Sequence, residues 1–269
     1  MSVAPPLFEL RGASKAFGTR AAISQVSFSL QRGEFVAVLG PSGAGKTTLF
    51  RALAGLMPLD QGVALLNGAD LARLPWREHR RIALILQQFN LVNRLSALDN
   101  VLAGRLGHVS AWRGCLRQFS HADQVLAMQS LEHVGLLEQA GQRADTLCGG
   151  QQQRVAIARA LAQQPDLIVA DEPVASLDPH IGAGILDLLR SICHAGDSGV
   201  GVICSLHQPP FAQQFADRVV GLSNGRIVLD FPASKFVDTA LRQVYGSNDR
   251  SRAQDQAALR DRTTAYVPI

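Results

Sequence analysis

The stretch Phe35-Val36-Ala37-Val38-Leu39-Gly40-Pro41-Ser42-Gly43-Ala44-Gly45-Lys46-Thr47-Thr48 decides the fold. Its first five residues are an unbroken apolar run, the mark of a strand buried on both faces. Gly40 to Thr47 then fits GxxxxGK[ST], and a helix is expected from Lys46 to Leu56, ended by Gly55 and Pro58. The glycines let successive backbone N–H groups converge on phosphate oxygens. The helix N-terminus adds its positive dipole end. In such a loop Lys46 reaches the β- and γ-phosphates and Thr47 ligates Mg²⁺. The site favours a compact ammonium over a planar guanidinium.

Composition agrees with a folded phosphate-binding protein. The chain has 269 residues, 47% hydrophobic and 18% charged, which excludes a fibrous or wholly disordered polypeptide and allows one large domain or two small ones. Lysine occurs only at Lys15, Lys46 and Lys235, which leaves 23 arginines among the 26 basic residues. For Lys15 and Lys235 this scarcity reads as an arginine preference without structural meaning. The net charge of +4 is modest and spread out. With 6% aromatics and no recognition helix or stacking pattern, nucleic-acid binding is not expected. Cys115, Cys148, Cys193 and Cys204 form no CxxC pair, so reduced thiols and a cytosolic setting are expected. The opening MSVAPPLFELRG reads as no signal peptide, and no apolar run is long enough to span a bilayer.

Outward from the loop, strands are expected at 7–11, 22–30, 82–86, 167–170 and 200–205. A hairpin is expected around Asn224-Gly225, between Val219–Leu222 and Arg226–Leu229. From about 96 to 146 the pattern is helical. Leu98, Val101 and Leu102 share one face, as do Val125, Met128, Leu131 and Val134, and a further helix covers 181–193. The class is α/β, an open core interrupted by a helical insertion. Residues from 247 onward read as a mobile tail or a loose helix.

Two acidic residues, Asp171 and Glu172, follow the apolar strand 167–170. A carboxylate there, beside a phosphate loop, suits Mg²⁺. Strand alternation sends Glu172 to the opposite side, where it suits orienting and deprotonating a water. His207 closes the strand 200–205 at the edge where ligands of parallel sheets sit, within reach of a γ-phosphate.

The segment Leu147-Cys148-Gly149-Gly150-Gln151-Gln152-Gln153-Arg154, running into Arg159, resembles the signature motif of the ATP-binding subunits of ABC transporters. Gln87 matches that family's Q-loop glutamine, Ala175-Ser176-Leu177-Asp178 its D-loop, His207 its switch histidine and Phe17 its adenine-stacking aromatic. The resemblance covers about residues 7–246. It implies a P-loop NTPase core with an antiparallel β subdomain and a helical subdomain inserted at about 90–160, followed by a tail over 247–269. It also implies an ATP hydrolase that binds Mg²⁺ and ATP. ATP would be held by Phe17, by Gly40, Pro41, Ser42, Gly43, Ala44, Gly45, Lys46, Thr47 and Thr48, and, from the facing subunit of a head-to-tail homodimer, by Cys148, Gly149, Gly150, Gln151 and Asp178. Glu172, His207, Gln87 and Lys46 would carry catalysis, with Thr47, Gln87 and Asp171 as metal ligands.

Several further segments look like the ATP-binding subunits of phosphonate importers: Gln87 to Val92, Asn100 to His108, Arg143 to Leu147, Ser205-Leu206-His207-Gln208 and Pro232-Ala233-Ser234. That kinship implies a peripheral subunit on the cytoplasmic face of a bacterial inner membrane. Its partners would be permease subunits and, through the complex, a periplasmic solute-binding protein. An importer for another small solute, an exporter ATPase and a soluble ABC ATPase stay open at this point. One departure stands out: Cys148 occupies the family's serine position. A thiol is a weak donor, so closure on ATP should lose the worth of one hydrogen bond, ~1 kcal/mol.

Overall fold

The computed structural model describes residues 5–196, 199–235 and 244–245. The expected tail lies outside them. The N-terminal strands β1 (Phe8–Phe17) and β2 (Arg20–Leu30) form a hairpin, followed by β3 (Phe35–Leu39), the phosphate loop and α1 (Lys46–Leu53). Then come β4 (Gln61–Leu66), β5 (Ala69–Asp70) and β6 (Ile82–Ile85), and the helices α2 (Ala97–Leu102), α3 (Ala111–Cys115), α4 (His121–His133) and α5 (Gly149–Ala162). The chain returns to the sheet with β7 (Leu167–Ala170), α6 (Pro179–Cys193), β8 (Gly201–Ser205), α7 (Pro209–Phe215), β9 (Arg218–Ser223) and β10 (Arg226–Pro232).

Two sheets result. An antiparallel sheet of order β2-β1-β4-β5 stands beside a six-stranded sheet of order β10-β9-β3-β8-β7-β6. The latter is parallel except for β10, which pairs antiparallel with β9. Alternation along β3 divides its side chains between two cores. Val36 and Val38 pack toward α1 and the antiparallel sheet; Phe35, Ala37 and Leu39 pack toward the helices that follow β6. Burial on both faces explains the continuous apolar run. No helix among the described residues is long and apolar enough to cross a membrane.

The expected strands and the Asn224-Gly225 hairpin are present with shifted ends. The expected helix 46–56 stops at Leu53, and the one expected over 181–193 begins earlier, at Pro179, with Asp178 as its cap. Three elements had no sequence-based expectation: β4, β5 and α7. The short β4 opens on the exposed pair Gln61-Gly62, and α7 opens on two prolines, which are tolerated in a first helical turn. One expected face holds only in part: Leu131 and Val134 are buried in the core, but Met128 is not. Helix α4 buries Asp123, Ala127, Ser130 and Leu131, while Met128 is 38% exposed. The polar pair is buried because Arg105 Nε donates to Asp123 Oδ1 at 2.8 Å and Ser130 Oγ donates to the Leu126 carbonyl at 2.8 Å.

Lys15 also departs from its expected role. Its ammonium bonds Asp60 at 2.6 Å, and Asp60 accepts the Ala16 N–H at 2.8 Å, so this lysine ties the end of β1 to the start of β4.

Candidate nucleotide site

In a parallel sheet the loops after the strands' C-terminal ends converge on one edge. Here the phosphate loop follows β3, Asp171 and Glu172 follow β7, His207 follows β8 and Gln87 follows β6. An open cleft of about 500 Å³ lies on this edge, lined by Phe17, Arg20, Ala22, Ser42, Gly43, Gly45, Lys46, Thr47, Thr48 and Glu172.

The loop is shaped by its neighbours. Gly45 has φ 105, and a Cβ there would sit 2.3 Å from the Ala22 carbonyl oxygen, so only glycine fits. The buried Ala44 accepts the Gly225 N–H at 2.9 Å, and Gly225 in turn accepts the Ser24 N–H at 2.8 Å. The β9–β10 turn thus braces the loop against β2. Lys46 is buried, and its ammonium donates to the carbonyls of Gly40 at 2.7 Å and Pro41 at 3.2 Å. Burial pushes its pKa down, opposed by the carboxylates of Glu172 and Asp171. Both acids therefore act on Lys46.

This differs from the expected alternation of the acidic pair. The strand ends at Ala170, and Glu172 has φ 51, the left-handed region, so the two-residue period no longer applies. Ser205 holds the conformation: its hydroxyl accepts the Glu172 N–H at 2.7 Å and donates to Asp171 Oδ1 at 2.8 Å. His207 Nε2 lies 2.6 Å from Glu172 Oε1, donating to the carboxylate. A non-glycine residue kept in a sparsely populated backbone region by its surroundings is a common trait of functional sites.

The remaining expected residues lie outside this cleft. Gln87 is exposed on the same edge. The loop after it is held from α5: Arg159 donates to the carbonyls of Asn90 at 2.6 Å and Phe89 at 3.0 Å. Cys148 caps α5 as an exposed residue, and Gln151 Oε1 folds back to accept its N–H at 3.1 Å. Gly149 and Gly150 begin the helix, and a Cβ on Gly150 would meet Ile181 of α6 at 2.7 Å. Asp178 caps α6, accepting the His180 N–H at 2.9 Å. Sequence reasoning missed Ser205 and Arg20. Ser205 sits two residues before His207, and Arg20 becomes visible only through the hairpin register.

The chain matches the family model described as ABC transporter over residues 23–175, and it belongs to that family. It is an ATP-binding cassette of the P-loop type. It is 48% identical over 241 residues to a phosphonates import ATP-binding protein of Rhodopseudomonas palustris, covering 88% of each chain. It is 44% identical over 241 residues to a hypophosphite import ATP-binding protein of Stutzerimonas stutzeri, covering 88% of this chain and 70% of that one. Among solved structures, a dimeric bacterial ABC transporter cassette superposes with TM-score 0.72 at 29% identity, over 85% of this chain and 100% of that one. A dimeric post-hydrolysis cassette bound to ADP and Pi superposes with TM-score 0.70 at 31% identity, again over 85% and 100%.

Proposed function

We propose that this chain is the ATP-hydrolysing subunit of a membrane importer for phosphonates or closely related phosphorus oxyanions. The observation that carries the ATPase reading is one cleft that joins Phe17, the phosphate loop and a Glu172 already paired with His207. Phe17, 56% exposed at the end of β1, offers a face for adenine. The loop from Gly40 to Thr48, with the buried Lys46, takes the phosphates. Thr47, Asp171 and Gln87 are oxygen donors of the kind Mg²⁺ prefers, and they would hold it. That ion would neutralise charge on the phosphate oxygens.

Glu172 is the general base, its carboxylate oriented by His207. Ser205 is a positioning residue behind both acids. Cys148, Gly149, Gly150, Gln151 and Asp178 stand away from the chain's own cleft, which favours their use on the nucleotide of a second copy in a head-to-tail dimer. The chain would then work peripherally on the cytoplasmic face of the inner membrane, with permease subunits and a periplasmic solute-binding protein. The phosphonate assignment rests on the relatives' functions and on the matching segments around Gln87, Asn100 and His207. Reconstitution with the cognate permease and binding protein tests it: alkylphosphonate should stimulate ATP hydrolysis. Stimulation by hypophosphite or phosphate alone would move the substrate within the same oxyanion class. A chain that fails to associate with a permease would overturn the transport reading.

A further inference from the structure

We propose that Arg20 is a nucleotide-binding residue that takes the α-phosphate, linking the base platform at Phe17 to the phosphate loop. The inference rests on the ATP-binding reading above. Phe17 and Arg20 are directly opposed, the last pair of the β1–β2 ladder, separated only by Gly18 and Thr19. Opposed residues of an antiparallel pair project to the same face. Both line the cleft. A Cβ built on Gly43 would lie 3.7 Å from Arg20 Nη2, so the guanidinium stands beside the phosphate loop.

The charges in the cleft make the assignment specific. Lys46 and Glu172 are already engaged, the first with Gly40 and Pro41 carbonyls and the second with His207. Arg20 has no hydrogen-bond or ion-pair partner among the described residues. A guanidinium presents a planar fork that matches two phosphate oxygens. The hairpin that carries it is not free to wander. Lys15, two residues before Phe17, is pinned to Asp60 at 2.6 Å, and β2 is tied to the loop through Ser24, Gly225 and Ala44. With adenine on Phe17 and the β- and γ-phosphates in the loop beside Lys46, the cation between them meets the α-phosphate. One hairpin tip then reads both ends of the nucleoside monophosphate portion.

The test is competition of ATP and of ADP against a fluorescent nucleotide on the full chain. Arg20→Ala should raise both dissociation constants by the same factor, roughly tenfold. Arg20→Lys should lose less, and the melting temperature without nucleotide should not change. Unchanged ATP affinity in Arg20→Ala would overturn the proposal. So would a loss confined to ATP, which places the cation on the γ-phosphate, or a lowered melting temperature, which marks a structural role. If the wild-type chain itself showed no saturable ATP binding, the ATP reading would fall instead.

Discussion

The Ser205 hydroxyl donates to Asp171 Oδ1 at 2.8 Å, and this bond joins the end of β8 to the acidic pair after β7. The same oxygen accepts the Glu172 N–H at 2.7 Å, so one buried side chain sets a metal-ligand candidate and the proposed base together. Replacing Ser205 with Ala leaves that N–H without its acceptor. The variant should lose about 1–2 kcal/mol of stability. It should also lose ATP turnover more than ATP affinity, as measured by denaturant unfolding alongside steady-state ATPase assays.

Glu172→Gln keeps the shape of the side chain and removes its basicity. ATP hydrolysis should fall roughly a hundredfold or more, with nucleotide binding retained. His207→Ala should produce a smaller loss, because Glu172 keeps its backbone anchor on Ser205. Comparing kcat and KM for the two variants separates the roles. Equal losses would remove the distinction between base and orienting residue.

Arg159 reaches from α5 to two carbonyls of the loop after Gln87, and burial lowers its pKa without making it neutral. Arg159→Met leaves the Phe89 and Asn90 carbonyls without these donors and should cost about 2–3 kcal/mol. ATP affinity of the isolated chain should hold, while stimulation by an assembled permease should fall. Hydrogen exchange over residues 87–92 is the direct readout.

Asp123 forms an ion pair with Arg105 at 2.8 Å, both side chains nearly covered. Burial pushes its pKa up, but bonds from Ser120 and Arg105 outweigh this and hold it below the usual 3.8. A carboxyl with a depressed folded pKa contributes stability that is complete above its unfolded value and disappears as pH falls through the folded one. Asp123→Asn should therefore cost about 3 kcal/mol at neutral pH, with the gap to wild type closing in acid below the ordinary carboxylate range. Urea unfolding at neutral pH and in acid measures it.

Cys148 is exposed at the start of α5. Cys148→Ser supplies a stronger donor at the same place. It should tighten ATP-dependent dimerisation by roughly fivefold for each of the two sites in a head-to-tail dimer, about 1 kcal/mol apiece and so about 25-fold in the dimer constant, with the monomer's ATP affinity unchanged. Ultracentrifugation with and without ATP decides it, and an unchanged dimer constant would show that the thiol costs nothing. The buried thiols make useful contrasts, since burial raises Cys204 and pushes Cys193 up to about 12, so both stay protonated.

Local chemistry written into consecutive residues was legible from the chain alone. The run from Phe35 to Leu39 declared a buried strand, Gly40 to Thr48 declared a phosphate loop, and Lys46 stood apart from 23 arginines. Each signal depends only on spacing along the backbone, through strand burial, glycine geometry or helix capping. What tertiary structure decided depends on residues far apart in sequence. Ser205 gains its place because β8 lies beside β7. The left-handed Glu172, φ 51, follows from that neighbour rather than from strand alternation. Lys15 proves to be a structural anchor because β4 brings Asp60 alongside it. Arg20 faces the cleft because the β1–β2 register puts it opposite Phe17. Hydrogen-bond register and charge pairing between distant segments carry no periodic trace in the chain, so only the folded arrangement assigns those roles.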